Sequence, residues 1–243
     1  MSSSASSSTP GSPTLPPSRL GTKAHWDAVY AREVANFREN PDDEGEVWFG
    51  ETASRRMIAS LRSLLANNSL EAPFSVLDLG TGNGLLLHTL LDADLTPPAR
   101  MMGIDYSEGS VTLAREVAEA RGEGAEEIRW AQCDCVDDEE AVKRLGEWDV
   151  LLDKGTLDAI ALSSHASVRS YIRSTRTLRG ASGILLLTSC NFTLEELKAL
   201  FLDDAEGKKD EIEELEEDKK PKFSFGGKTG NTTTAVLVRR RKE

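Results

Sequence analysis

The sequence predicts an α/β fold in which a doubly wound and mostly parallel sheet ends in an antiparallel hairpin. Short apolar runs alternate with helical patterns between residues 74 and 189, and this alternation is typical of parallel βαβ units. A loop with three glycines follows the first apolar run, where such folds bind ligands. Near the C-terminus, two strand patterns follow each other with no helical segment between them, which indicates antiparallel pairing.

Five apolar runs are predicted to form the parallel strands. Four of them carry an acidic residue at or just after their end, and the fifth is apolar throughout, as expected for a strand covered on both faces. Helices are predicted from Gly84 onward and over Glu108–Arg121, where small and apolar residues share one face. The predicted strands are Phe74–Leu79, Met101–Asp105, Ile128–Gln132, Trp148–Asp153 and Ile184–Ser189.

The C-terminal part of the chain breaks this alternation. Lys222–Gly227 and Thr232–Val238 have strand patterns without a helix between them, so they are predicted to pair as an antiparallel hairpin. Residues 203–220 carry ten acids and four lysines. This acidic insertion is expected to be a solvated loop or frayed helix, or else a surface that steers a basic protein toward the site. The basic run Arg239–Lys242 is expected to be the charged end of the last strand rather than a nuclear import signal.

Length and composition favour one large domain behind a disordered tail. Of the 243 residues, 39% are hydrophobic, which is enough for an α/β core. Residues 1–20 are rich in Ser, Pro and Thr and are predicted to be disordered, whereas residues 21–240 are predicted to form the folded domain. The start of the chain lacks the apolar run of a secretory signal, and the longest apolar run, 183–187, is too short to span a bilayer. A soluble protein is expected.

The glycine loop has the sequence Asp78-Leu79-Gly80-Thr81-Gly82-Asn83-Gly84. Alternate glycines let the backbone turn sharply and approach a ligand, and the following helix offers free N–H groups. The dinucleotide pattern G-x-G-x-x-G is not met, because Leu85 holds the third glycine's place. The loop resembles motif I of the class I S-adenosylmethionine (SAM) methyltransferases. Asp78 suits SAM, since a carboxylate repels a pyrophosphate but can hold an ammonium group. Asp78 and the loop residues Gly80, Thr81, Gly82 and Asn83 are therefore predicted to bind the cofactor.

Two further strand ends add candidate cofactor ligands. Asp105 ends the second strand, about 20 residues after the loop, where a carboxylate can accept hydrogen bonds from ribose hydroxyls. Tyr106 follows it and is included in the predicted site. Cys133 and Asp134 end the third strand, and Asp134 can accept a hydrogen bond from the adenine amino group, as an acid at this place does in methyltransferases that resemble this chain.

The cysteines indicate in which cellular compartment the protein is expected, and the net charge indicates which class of partner it is expected to bind. The three cysteines are odd in number and lack metal-ligand spacing, so reduced thiols in the cytosol or nucleus and no metal site are expected. A net charge of -12 argues against nucleic acid as the substrate, because phosphate contacts require a basic surface. A basic protein partner fits this charge better.

The part of the site that binds the methyl acceptor is expected to contain aromatic side chains and one or two carboxylates. Methyl transfer depends mainly on positioning, and a lysine acceptor must arrive neutral although its usual pKa is about 10.4. Trp48 and Glu51 lie in a turn that contains glycine, and Asp153 lies at the end of the fourth strand, where it can contact the ammonium of SAM or the incoming amine. These three are the candidate catalytic residues. Other residues are expected to pack, namely Trp26, Tyr30 and Phe37 as anchors of the first helix and His88 as packing or surface.

Several segments together resemble the eukaryotic lysine methyltransferases of translation elongation factor 1-alpha. The resemblance covers roughly residues 23–238. It implies the seven-stranded, Rossmann-like class I methyltransferase fold, a lysine of the elongation factor as the target, and a cytoplasmic setting that can extend to the nucleus. The Ser/Pro-rich tail and the acidic insertion depart from the pattern. The matching segments are His25–Asp27 with Tyr30, Asn36–Phe37, Gly45–Glu51, Asp78–Gly84, Asp153–Ile160, Ser189–Thr193, Glu195–Leu197 and Phe223–Gly227.

Three alternatives to a protein-lysine methyltransferase stay open on the residues alone. A small-molecule methyltransferase would use the same cofactor loop. A nicotinamide-dependent oxidoreductase would use the same fold, although Leu85 and Asp78 disfavour it. A binding module could keep the fold without turnover. The target lysine, the number of methyl groups added and the oligomeric state do not follow from the sequence.

Overall fold

The computed structural model of the protein describes residues 15–215, 223–225, 228–230 and 233–241. Within these ranges the helices are α1 (Lys23–Glu39), α2 (Gly50–Ala66), α3 (Leu85–Asp92), α4 (Glu108–Arg121), α5 (Glu139–Leu145), α6 (Thr156–Ala161), α7 (His165–Arg179) and α8 (Leu194–Leu202). The strands are β1 (Val76–Leu79), β2 (Met101–Asp105), β3 (Arg129–Gln132), β4 (Val150–Lys154), β5 (Ile184–Ser189), β6 (Asp210–Glu214), β7 (Phe223–Phe225), β8 (Lys228–Gly230) and β9 (Thr234–Arg240).

Seven strands form one mixed sheet in the order β3-β2-β1-β4-β5-β9-β6. Strands β1 to β5 pair in parallel, and β9 runs antiparallel to both of its neighbours. The five predicted parallel strands, the helices between them and the antiparallel C-terminal end are confirmed. Because parallel strands end at the same edge, the acids predicted at the strand ends meet along one side of the sheet.

Both faces of the sheet are covered by helices. Alternate residues of β1 point to opposite faces, so Val76 packs with Met57 and Leu61 of α2 while Leu77 packs with Tyr171 of α7. A third apolar cluster joins α1 to α4, and Tyr30 and Phe37 are buried in it, which confirms that they anchor the first helix. His88 is fully buried with its ring centre 5.9 Å from that of Trp130, so the expected packing role is confirmed.

The prediction that residues 222–227 and 232–238 pair with each other is wrong. β9 pairs on one side with β5, where Leu186 lies opposite Leu237, and on the other side with β6, where Ile212 lies opposite Val238. The residues Ala235–Val238 are all buried, so β9 needs a neighbour on each side. Phe223–Phe225 instead pairs with Lys228–Gly230 in a separate ribbon. Parts of the two predicted strands, Lys222, Gly226, Gly227 and Thr232, lie outside the described residues.

The acidic insertion begins with ordered structure rather than with a solvated loop. Its residue Asp210 is fully buried at the start of β6 and accepts a hydrogen bond from Arg179 of α7 at 2.8 Å. Arg240 lies 3.3 Å from the other Asp210 oxygen, and Arg239 pairs with Glu211 at 2.7 Å. The acids of β6 therefore neutralise the basic end of β9, which is the charged end of the last strand, as predicted. Residues 216–220 of the insertion lie outside the described residues.

The N-terminal segment is ordered ahead of the predicted domain start. Residues 1–14 of the predicted tail lie outside the described residues, but Leu15 packs on the core and Ser18 N donates to Leu162 O at 3.0 Å. Trp26 Nε1 donates to Leu20 O at 2.7 Å. Contacts with the domain thus begin before residue 21. In the ranges given above, no helix combines the length and the apolar character that crossing a membrane requires.

Candidate active site

The glycine loop lies where β1 ends, at the edge that β1 shares with β2 and β4. The strand order reverses between β1 and β4, and open α/β sheets bind ligands at such a switch point. Gly80 has a φ of +65°, and a Cβ at this position would collide with the Thr156 side chain, so glycine is required. Thr81 N donates to Ile104 O at 2.9 Å, which holds the loop against β2. The predicted strand, loop and helix are confirmed.

Asp78 and Asp105 are two buried acids beside this loop. Asp78 accepts a hydrogen bond from Thr81 Oγ1 at 2.7 Å, and burial raises its pKa to about 7. Asp105 accepts hydrogen bonds from Gly82 N at 3.2 Å and Ser107 N at 2.9 Å, and burial raises its pKa as well. Desolvated carboxylates of this kind favour a cationic or hydroxyl-bearing ligand.

The end of β3 continues this row of polar groups. Cys133 is buried, and its N–H donates to Asp105 O at 2.9 Å, which ties the end of β3 to the end of β2. Asp134 is half-buried and accepts from Val136 N and Asp137 N through its Oδ1 alone. Tyr106 is half-buried too, and burial raises the pKa of its hydroxyl. The structure thus places these predicted cofactor residues along the ends of β2 and β3.

The connecting segment 40–49, between α1 and α2, covers the glycine loop. Asn83 Nδ2 donates to Glu44 O at 3.0 Å and to Glu46 O at 3.1 Å. The Asn83 side chain is therefore spent on the backbone of the connecting segment, and a direct contact of its amide with a cofactor competes with these two bonds. Asn83 connects the loop to its cover.

The end of the connecting segment contacts the carboxyl end of β4. Lys154 Nζ donates to Trp48 O at 2.7 Å, and the Trp48 ring packs edge-on against Trp26 with centres 5.1 Å apart. The Phe49 ring occupies the space that a Cβ on Gly155 would need. Trp48 and Phe49 thus lie next to the residues that follow β4, which is the acceptor side expected from the sequence.

Glu51 is placed differently from the other candidates. It stands in the first turn of α2, its side chain is 70% exposed, and it forms an ion pair with Arg55. Glu51 is close to Trp48 in sequence, but its side chain does not join the row of buried acids. Because the side chain is exposed, its carboxylate is solvated.

The carboxylate of Asp153 points into the protein rather than toward the edge of the sheet. It is fully buried and accepts hydrogen bonds from Thr156 N at 2.7 Å, Leu157 N at 3.1 Å and Tyr171 Oη at 2.8 Å. Burial raises its pKa to about 7. The placement does not support the predicted contact with the ammonium of SAM or with an incoming amine. Its side chain caps α6, because an acid just ahead of a helix accepts the free N–H groups of the first turn.

Asp158 is a buried acid near this edge of the sheet that the sequence reasoning did not single out as a site residue. It is 5% exposed and accepts three hydrogen bonds from the end of β5 and the loop that follows, from Ser189 Oγ at 2.7 Å, Cys190 N at 3.0 Å and Asn191 N at 3.1 Å. This loop begins at the sheet edge where the predicted cofactor residues lie. The available signal was the second acid of the Asp153–Asp158 segment, which the pattern of acids at strand ends does not single out.

Comparison with known proteins shows the family to which the chain belongs. Residues 70–232 match a family described as "Methyltransferase domain". The protein-lysine N-methyltransferase efm4 of Schizosaccharomyces pombe is 40% identical over 236 residues, covering 91% of this chain and 94% of that protein. The chain belongs to this methyltransferase family. The human protein called EEF1A lysine methyltransferase 2 is 37% identical, covering 95% of this chain and 91% of its own length.

Solved structures support the same fold. A TehB-like SAM-dependent methyltransferase from Corynebacterium glutamicum superposes with a TM-score of 0.55 at 15% identity, covering 90% of this chain and all of that chain. A Burkholderia thailandensis N-methyltransferase, solved with S-adenosylhomocysteine bound, gives a TM-score of 0.55 at 19% identity and covers 91% of each chain. The seven-stranded sheet of this protein-lysine methyltransferase is thus the class I methyltransferase fold.

The residues of the methyltransferase fit SAM as its cofactor. SAM carries a sulfonium and an ammonium against one carboxylate, so its net charge is positive. The buried acids Asp78 and Asp105 suit a cation, whereas they would repel the pyrophosphate of a dinucleotide. Lys154, which is half-buried, is near Asp78. When bound, SAM supplies the methyl group, and the protein contributes binding, orientation and exclusion of water.

Proposed function

We propose that this SAM-dependent protein-lysine methyltransferase acts on a lysine of translation elongation factor 1-alpha in the cytoplasm. One observation carries the proposal. Proteins whose names specify this substrate match the chain at 35–37% identity along at least 92% of its length. The similarity therefore extends over nearly the whole chain and is not limited to the cofactor-binding part. The net charge of -12 supports a basic protein partner rather than a nucleic acid.

On the cofactor side, we propose one role for each strand end. Asp78 holds the ammonium of SAM, directly or through water, and Asp105 accepts hydrogen bonds from the ribose hydroxyls. Asp134 accepts from the adenine amino group through its Oδ2, which the turn at Val136 does not use. The buried Cys133 and the half-buried Tyr106 line the adenosine pocket. Gly80–Asn83 supply the backbone against which the methionine end lies.

On the acceptor side, we propose that the lysine enters between the connecting segment and the loop after β5. Trp48 and Phe49 provide an apolar wall, and burial against such a wall favours the neutral amine that attacks the methyl group. Glu51, exposed at the rim, attracts the cationic lysine before it enters. Asp153 and Asp158 act as positioning residues, because their carboxylates are occupied by protein donors.

The test uses purified full-length protein, SAM with a labelled methyl group and purified unmodified elongation factor 1-alpha. We expect label on the elongation factor, located to a lysine by mass spectrometry, and none with an Asp105→Ala variant. In a parallel reaction, a cytosolic extract replaces the purified elongation factor as the source of substrates. Labelled proteins smaller and larger than the elongation factor are then analysed together with the metabolites. Label found only in metabolites would refute a protein substrate and support the small-molecule alternative. Label on a different protein would refute the elongation factor as the substrate but would leave the protein-lysine methyltransferase activity standing.

A further inference from the structure

Tyr30 of α1 places its hydroxyl directly over the glycine loop. The side chain is 8% exposed, and its ring stacks on Trp26 with centres 6.1 Å apart. A Cβ built on Gly82 would lie 2.8 Å from Tyr30 Oη. The phenol oxygen therefore faces the backbone of the loop at the point where the methionine end of the cofactor is held.

This hydroxyl belongs to a buried residue and has no partner among the described protein groups. Tyr30 forms no hydrogen bond with the residues that the structure describes. Burial raises the pKa of the phenol well above its usual value, and the nearby carboxylates of Asp105, Glu33 and Asp78 raise it further. The group is therefore a neutral O–H at every physiological pH. A tyrosine hydroxyl in a buried residue normally finds a hydrogen-bond partner, and this one is available to a ligand bound at the loop.

Several other donors around the loop are engaged by protein acceptors. SAM has one anionic group, the carboxylate of its methionine end, and this group must lie in a cradle that contains buried acids. A carboxylate there needs a donor, since burying it unpaired is costly. The donors that are spent on protein acceptors are Thr81 Oγ1, Gly82 N, Asn83 Nδ2 and Ser107 N. Lys154 Nζ uses one of its three N–H bonds on Trp48 O.

We propose that the Tyr30 phenol donates a hydrogen bond to the carboxylate of SAM. The inference rests on SAM being the cofactor, and it gives α1 a role in binding in addition to its role as a packing helix. A donor that points at the carboxylate discriminates by that group alone. Analogues of SAM without the carboxylate should therefore gain nothing from Tyr30.

The test measures two ligands by isothermal titration calorimetry, SAM and decarboxylated SAM, on wild-type protein and on the Tyr30→Phe variant. Phenylalanine keeps the ring and removes only the hydroxyl. A hydrogen bond to a charged group corresponds to roughly a tenfold or larger loss of affinity. We expect the Kd for SAM to rise about tenfold and the Kd for decarboxylated SAM to change by less than about twofold.

The ratio of the two Kd values separates this role from a structural one. Tyr171→Phe is the matched control, because it removes the phenol of another buried tyrosine, whose partner is Asp153, and should lower the melting temperature while leaving the ratio unchanged. An equal loss for both ligands in Tyr30→Phe, or no loss for SAM, would overturn the inference. Wild-type protein that binds SAM but leaves the elongation factor unmodified would refute the proposed substrate and not the role of Tyr30.

Discussion

Replacing Asp158 by asparagine should impair use of the protein acceptor far more than binding of SAM. Its Oδ1 accepts from Ser189 Oγ and Asn191 N, and its Oδ2 accepts from Cys190 N. Asparagine keeps one oxygen and puts an NH₂ group against the Cys190 N–H. One buried donor loses its partner and two charge-assisted bonds become neutral, which together cost about 2 kcal/mol. For a domain of this size, that predicts a melting temperature lower by roughly 4–8 °C.

We also expect an effect on kinetics, because the loop after β5 shifts when it loses its hydrogen bonds to Asp158. A shift of about 1 Å in groups that position a substrate can cost on the order of 100-fold in rate. We expect kcat/KM for the elongation factor to fall about 10- to 100-fold in Asp158→Asn, mainly through a higher KM for the protein. The Kd for SAM, measured by calorimetry below the melting transition, should change by less than about twofold.

Two controls make this prediction sharp. Asp138→Asn makes the same chemical change at the start of α5, where Asp138 caps the helix through Ala141 N at 2.8 Å, and it should leave both constants near the wild-type values. Cys190 is the exposed cysteine, so the protein acceptor should slow its labelling by a thiol reagent, whereas S-adenosylhomocysteine alone should not. If the variant loses SAM affinity as much as acceptor affinity, Asp158 does not act through the loop after β5.

Three further predictions concern the cofactor acids and the edge strand. Asp105→Asn should raise the Kd for SAM about 10- to 100-fold in calorimetry, because a charged acceptor for the ribose hydroxyls becomes neutral, and an unchanged Kd would exclude this role. Burial raises the pKa of Asp78 and of Asp153 from 3.8 to about 7, so the folded state holds extra protons between about pH 4 and 7. The stability of the cofactor-free protein should therefore fall as pH rises through this window, by up to about 1.4 kcal/mol per pH unit for each group, and denaturant titrations that show a rise would contradict it. Arg179→Met should cost roughly 3 kcal/mol in urea unfolding, since it removes the closest partner of the buried Asp210, and a loss below about 1 kcal/mol would show that Arg240 and Arg176 suffice.

Local patterns predicted the central part of the fold well, because each signal there acts over a few residues. A short apolar run such as Ile184–Ser189 favours a strand covered on both faces, and the glycines after β1 favour a tight turn. The acids Asp78 and Asp105 stand at strand ends, so the parallel topology alone brings them together.

The patterns failed where a long-range partner decides the structure. β6 contains four acids in five residues and has no strand signal of its own, and it forms because β9 brings Arg239 and Arg240 opposite its acids. Asp153 has the right position for a ligand-binding acid, but Tyr171 and the first turn of α6 turn its carboxylate inward. Tyr30 has the pattern of a packing residue, and only the fold shows that its hydroxyl reaches the loop.

The short helix α6 gives the two substrates a shared support. At its start, Thr156 Oγ1 donates to Leu79 O at 2.6 Å, next to the glycine loop, and further along it Asp158 holds the loop after β5. A helix of 6 residues that is tied at both places links the two proposed sites, so we expect a ligand that shifts α6 at one of them to affect the other. Thermodynamic reciprocity then requires that SAM changes the affinity for the protein acceptor by the same factor by which the acceptor changes the affinity for SAM. Substitutions that loosen α6 should bring this factor toward one, and the two substrates would then bind independently.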